Sequence, residues 1–165
     1  MSSELVFSAL RVLVVDEDKA YGRLVDRLLR DLTVRETTVA ADMDEARAAV
    51  DGEIFDFIFV DRSGDGELGA ALTTLLRDKS QTPAPHVPVI WMVSEGSVEN
   101  VKTAIGVGAD HVLVKPLSLG DIGSTIKGLT DSPAERTDVA NYVGPCRRRL
   151  PSHVYGPFSG QNRRT

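Results

Sequence analysis

The order of its apolar runs constrains this 165-residue chain more than any other feature. Short segments rich in β-branched and aromatic residues alternate with longer ones whose apolar residues recur at helical spacing. "LRVLVVD" (Leu10–Asp16) reads as a buried strand. "DKAYGRLVDRLLRDL" follows, with Tyr21, Leu24, Val25, Leu28, Leu29 and Leu32 on one helical face and Asp18 as its N-cap. "VRETTVA" (Val34–Ala40) is a more polar strand suited to a sheet edge, and Asp42 with Glu45 matches a capping box for "MDEARAAV". Then come "IFDFIFVD" and "ELGAALTTLLRDK", a proline-rich loop, "VPVIWMVS" and "SVENVKTAIGVG" capped by Ser97, and finally "DHVLVKP" and "SLGDIGSTIKGL". The last helix carries Gly120, Gly123 and Gly128 and so has poor intrinsic propensity.

Strands that are apolar almost throughout, each followed by a helix, predict an α/β fold with a parallel sheet covered on both faces. In such sheets ligands bind at the carboxyl ends of the strands, near the topological switch point. The first strand here ends in Asp16-Glu17-Asp18, the third in Asp61, the fourth in Ser94 and the fifth in Lys115-Pro116. Four strands thus deliver polar or charged groups to one edge. Asp61 stands out, because it closes an apolar run and is followed at once by the turn "RSGDG". A carboxylate in that position is costly unless it is paired or used, and its use predicts that it is exposed.

Crowded carboxylates repel one another and must be protonated or share a cation. No His or Cys accompanies them, so the ligand set is all oxygen, which suits Mg²⁺ held by one or two carboxylates and several waters. Lys115 adds a fixed positive charge and Ser94 a hydroxyl. Phosphoryl transfer to Asp61 is the economical reading: the aspartate attacks, Mg²⁺ and Lys115 neutralise the equatorial oxygens, and Ser94 donates to one of them.

With "VLVVDED", "FDFIFVD", "VIWMVS" and "GADHVLVKP" in this order, residues 9–130 resemble the receiver domain of bacterial response regulators. The resemblance implies a doubly wound five-stranded sheet in the flavodoxin-like order 2-1-3-4-5. It makes Asp61 the phosphoacceptor, Ser94 the counterpart of the switch Ser/Thr and Lys115 that of the family lysine. Asp16 and Glu17 become the acidic pair for Mg²⁺, joined by Asp61 and the backbone carbonyl of Ser63, and the Lys115-Pro116 bond is expected to be cis. The implied function is a phosphorylation-controlled switch of a two-component system or phosphorelay. Its phosphoryl donor is a histidine kinase or histidine phosphotransfer protein, and its output is contact with a further protein whose identity stays unknown. It is not an enzyme beyond self-phosphorylation from small donors and slow autodephosphorylation. A homodimer through the last helix–strand–helix face is a further expectation.

Two departures from the family pattern bear on output. Gly64-Asp65 stands where a Met-Pro pair is usual, and Val112 stands where the fifth strand usually carries a switch aromatic. A phosphorylation-silent docking or dimerisation module therefore remains the alternative. Other rivals fit less well. A haloacid-dehalogenase-type phosphohydrolase needs a second aspartate two residues after the first, where Ser63 stands. A flavin module needs a neutral phosphate loop, where "DEDKAYG" is acidic.

The net charge of −5 hides a split: 13 Lys/Arg against 21 Asp/Glu in residues 1–130, and 6 against 3 in residues 131–165. The division predicts an acidic receiver domain over 1–130 and an irregular basic tail over 131–165 with no effector domain. "YVGPCRR" and "FSGQNRR" repeat an aromatic-x-Gly-x-x-Arg-Arg pattern in that tail. Three readings of it stay open: a solvated tail, a segment docking on an acidic surface, and a nucleic-acid contact. The acidic domain argues against nucleic acid as the main partner. The single cysteine, Cys146, and the lack of a basic, apolar leader or membrane-length run predict a cytoplasmic protein without a membrane partner.

Overall fold

The computed structural model describes residues 7–62, 66–131, 136–139 and 142–145, the last two segments by their backbone. Strands β1 (Arg11–Val15), β2 (Glu36–Ala40), β3 (Phe57–Asp61), β4 (Val89–Val93) and β5 (His111–Val114) form one parallel sheet in the order β2-β1-β3-β4-β5. Helices α1 (Lys19–Asp31), α2 (Met43–Gly52), α3 (Glu67–Arg77), α4 (Val98–Val107) and α5 (Leu119–Asp131) follow the strands in turn. The doubly wound fold expected from the alternation is therefore present. No helix among the described residues is long and apolar enough to cross a membrane.

Two apolar layers sandwich the sheet. Val12, Val14, Phe57, Phe59, Ile90, Met92 and Leu113 face α1 and α5. Leu13, Val15, Ile58, Val60, Trp91 and Val112 face α2, α3 and α4. Alternate residues of each strand point to opposite sides, so these near-continuous apolar strands supply both layers at once.

Caps set the helix starts. Asp18 accepts hydrogen bonds from the amides of Ala20 and Tyr21 at α1, and Ser97 accepts one from Asn100 at α4. Asp42 accepts from the Glu45 amide, while Glu45 reaches back to the amide of Ala41, one residue before the cap. The apolar stripe of α1 is narrower than its sequence spacing predicts. Val25 and Leu29 are buried, but Leu24 is 44% exposed and Gly22 is buried in the same face. A Cβ at Gly22 would stand 3.0 Å from Val39 of β2, so the helix approaches the sheet through a position without a side chain.

A buried ion pair ties the far side together. Arg77 of α3 donates to Asp110 at 2.6 Å and to the carbonyls of Gly108, Pro85 and Val87. The same Asp110 oxygen accepts the Val89 amide at the start of β4.

Within residues 131–165, expected to be an irregular tail, two short strands are described. Helix α5 continues to Asp131, and Arg136–Val139 (β6) pairs antiparallel with Tyr142–Pro145 (β7). Strand β7 lies against α3. An antiparallel pair can form without apolar periodicity, so composition alone does not announce it. The repeated Arg-rich pattern falls largely outside the described residues, as does Cys146.

Candidate functional site

Strand register assembles the site. Continuing the alternation past the strand ends adds Asp16 to the row of Val12 and Val14, and Asp61 to that of Phe57 and Phe59. Ser94 follows Ile90 and Met92 in the same way, and Lys115 follows Leu113. All four belong to the side of the sheet that α1 and α5 cover.

Lys115 reaches back across the sheet to both aspartates. Its Nζ lies 2.7 Å from Asp61 Oδ1 and 3.1 Å from Asp16 Oδ2. The other oxygen of Asp16 accepts the amide of Asp18 at 2.8 Å. The bond between Lys115 and Pro116 is cis, as the resemblance implied.

Asp61 is not exposed, contrary to the expectation drawn from its use as the reactive group. It is 4% accessible and Asp16 is fully buried. Both carboxylates can sit there because the ammonium compensates them, which is the pairing that buried charge requires. Helix α3 also crowds Asp61 from behind. A Cβ at Gly69 would stand 3.2 Å from the Asp61 carbonyl oxygen.

These contacts shift both partners of the ion pair. Burial pushes the Asp16 carboxyl above its ordinary 3.8, and the charge of Asp61 adds to the rise against the Asp18 amide and Lys115. Burial works against the charged form of Lys115 as well. Its hydrogen bonds to Asp61 and Asp16, and their charges, outweigh that and hold it above its ordinary 10.5.

The other expected members are less enclosed. Glu17 and Ser94 are exposed at the rim, and the carbonyl of Ser63 lies outside the described residues, as does the Gly64-Asp65 departure. Among the described residues no three acidic, histidine or cysteine side chains stand close enough to hold a metal together. The donor chemistry nonetheless fits a hard cation. Two carboxylates share one ammonium, which leaves the ionised trio one negative charge in excess, and Mg²⁺ needs only one or two carboxylates plus water.

Two residues that the sequence did not single out complete the surroundings. Tyr21 of α1 presents its ring to the Lys115 ammonium, 4.0 Å from the centroid, and its hydroxyl accepts the amide of Leu117 at 3.0 Å. The available signal was an aromatic with a polar tip in an otherwise aliphatic stripe. Arg62, directly after Asp61, donates to Asn100 Oδ1 at 2.7 Å and lies over the Trp91 ring. No local pattern announces a pair 38 residues apart.

Comparison with known proteins agrees with this geometry. The family described as "Response regulator receiver domain" matches residues 12–127. The chemotaxis protein CheY-3 of Vibrio cholerae is 29% identical over 127 residues, covering 77% of this chain and 93% of that protein. The solved structure of chemotaxis protein CheY4 from the same species superposes with a TM-score of 0.64 at 29% identity, over 72% of this chain and 96% of the other. The fold is shared as well by the receiver domain of the Saccharomyces cerevisiae response regulator Ssk1, solved with the histidine phosphotransfer protein Ypd1. That chain is 18% identical with a TM-score of 0.62, over 73% of this chain and 90% of its own.

Proposed function

The chain belongs to the response regulator receiver domain family, which serves two-component and phosphorelay signalling, and from that premise we propose that Asp61 is its phosphoacceptor. The observation that carries this reading is the Lys115 ammonium held 2.7 Å from the Asp61 carboxylate at the strand ends. An Asp61 oxygen attacks the phosphorus of a phosphohistidine. The oxygen–phosphorus bond forms, the phosphorus–nitrogen bond breaks, and the imidazole nitrogen leaves with its electron pair. Lys115 faces the negative charge that gathers on the transferred group, and the Ser94 hydroxyl at the rim donates to one of its oxygens.

Asp16, Glu17, Asp61 and the Ser63 carbonyl are the residues that would hold Mg²⁺, whose chemistry there is neutralisation of phosphoryl charge. Asp16 also anchors Lys115, so the acceptor and its cation stay in register before any donor arrives. The donor is a histidine kinase or a histidine phosphotransfer protein, the kind of partner with which the yeast receiver domain was solved. Output runs through protein contact, and turnover is confined to self-phosphorylation by small donors and slow hydrolysis of the acyl phosphate.

Intact-protein mass spectrometry after incubation with acetyl phosphate and Mg²⁺ tests this. One added phosphoryl group, absent without Mg²⁺ and absent in Asp61→Ala, is the expected result. The burial of Asp61, together with Val112 in place of an aromatic, favours one second reading, a docking module that takes no phosphoryl group. No mass shift and no beryllofluoride binding would select it.

A further inference from the structure

Arg62 leaves the site on the side opposite Lys115. It stands two residues after Val60, so alternation places it on the face shared by Val60, Trp91 and Val112. Register agrees, since Val60 pairs with Trp91 and Trp91 with Val112. From there its guanidinium reaches strand β4 and the first turn of α4. It lies 5.9 Å from the Trp91 ring centroid and donates to Asn100 Oδ1 at 2.7 Å. The Asn100 amide nitrogen in turn donates to the carbonyl of Glu95 at 2.9 Å, next to Ser94, and its backbone N–H takes the Ser97 cap.

The other surroundings of Arg62 are equally fixed. Trp91 is fully buried, and its indole N–H donates to Thr73 of α3 at 2.8 Å. Gly66, left-handed at φ 74°, sets α3 against the arginine, and a Cβ there would stand 3.1 Å from its Cγ and Nε. One side chain is therefore clasped by the start of α3, by the Trp91 ring on β4 and by the first turn of α4.

We propose that Arg62 is a positioning residue for phosphoryl transfer: through Asn100 and Trp91 it fastens the acceptor strand to the β4–α4 loop that carries Ser94. It occupies the role left open at Val112, which is buried and has no polar or aromatic reach of its own. The aromatic surface on this face comes from β4 instead, as Trp91. The inference rests on the proposed reaction at Asp61 and adds a contact on the opposite side of the sheet.

The test uses Arg62→Gln, Asn100→Ala and the double variant in the full chain. Phosphorylation is followed by intact mass across a range of acetyl phosphate concentrations, with emission of Trp91, the sole tryptophan, read in parallel. Each single variant should lower the maximal rate roughly 3- to 10-fold with the half-saturating donor concentration unchanged, the scale of a lost positioning contact. The double variant should be no slower than the slower single, because both break one link. Both singles should alter Trp91 emission, and Arg62→Lys should recover only part of the rate, since it keeps the charge and loses the planar fork. Asn100 lies on a helix surface, so its variant keeps the test open if Arg62→Gln fails to fold. Variants that match the parent, or effects that multiply in the double, would overturn the proposal while leaving Asp61 as acceptor. A parent chain that takes no phosphoryl group would remove the reading of the site itself, and this inference with it.

Discussion

Tyr21 and Lys115, one at the first turn of α1 and the other at the end of β5, form a stacked cation–π pair with 4.0 Å between ammonium and ring centroid. The tyrosine hydroxyl accepts the Leu117 amide, two residues beyond that same lysine. One aromatic side chain thereby holds both the cation and the loop that follows it.

Separate variants split the two contacts. Tyr21→Phe keeps the ring and leaves the Leu117 amide without its acceptor, which should cost about 1 kcal/mol of stability. Tyr21→Leu removes both contacts and should also slow phosphorylation of Asp61 by acetyl phosphate. Urea denaturation and mass-spectrometric time courses on both variants check this, and an equal reaction rate in all three proteins would argue against a role for the ring.

Asp16 gives a pH prediction. Its carboxyl is raised by burial and by Asp61, so its contribution to stability is complete below 3.8 and is lost as pH climbs through the raised value. At neutral pH it is a buried negative charge beside another. Asp16→Asn should therefore raise the melting temperature at pH 7–8 in the presence of a chelator, by about 2–5 °C. The gain should shrink to nothing below pH 4, where the native residue is protonated. Lys115, whose pKa is also raised, contributes stability that is complete below 10.5 and is lost only as pH rises through its higher folded value, so its charge does not change over this range. Thermal melts across pH 3.5–8 would reveal whether the difference closes as stated.

The buried pair Arg77–Asp110 predicts a large loss of stability on breaking one side. Arg77→Met strands a buried carboxylate and frees three carbonyl acceptors, which should cost on the order of 3–5 kcal/mol. Urea unfolding followed by Trp91 emission measures it. A loss below 1 kcal/mol would mean that water or another group replaces the arginine.

Two glycines should respond in opposite directions. Gly128 lies in α5, is exposed, and has nothing within 4 Å of a new Cβ, so Gly128→Ala should stabilise the fold by roughly 0.5–1 kcal/mol. Gly69→Ala would press on the Asp61 carbonyl, a backbone atom with little room to retreat, and should destabilise the fold and disturb the acceptor. Thermal melts of the two variants side by side would settle the signs.

Much of the site was legible because it sits where local rules end. Each strand announces itself by composition, four of the five lead into a polar or charged residue, and a parallel sheet must bring those ends to one edge. The sequence therefore places Asp16, Asp61 and Lys115 at one edge, and in the structure Lys115 lies within 3.1 Å of Asp16 and 2.7 Å of Asp61. Asp18, Asp42 and Ser97 were readable as caps for the same reason, since a cap answers to a few neighbouring residues. The burial of Asp61 was not legible, because it depends on tertiary neighbours such as Lys115, at 2.7 Å, that no strand pattern reports.

By itself, then, the amino-acid order determined the alternation of strands and helices, the two-faced apolar strands and the residues that cap or end them. All of these follow from interactions a few positions apart. Only the tertiary structure decided that Lys115 would be seated on Tyr21, that Arg62 would reach Asn100 and that Arg77 would meet Asp110. It also decided that Arg136–Val139 would pair with Tyr142–Pro145 and that the latter strand would lie against α3. Those pairings depend on strand register and on the closeness of helix to sheet, set when the two apolar layers pack, and packing joins residues that no local pattern relates.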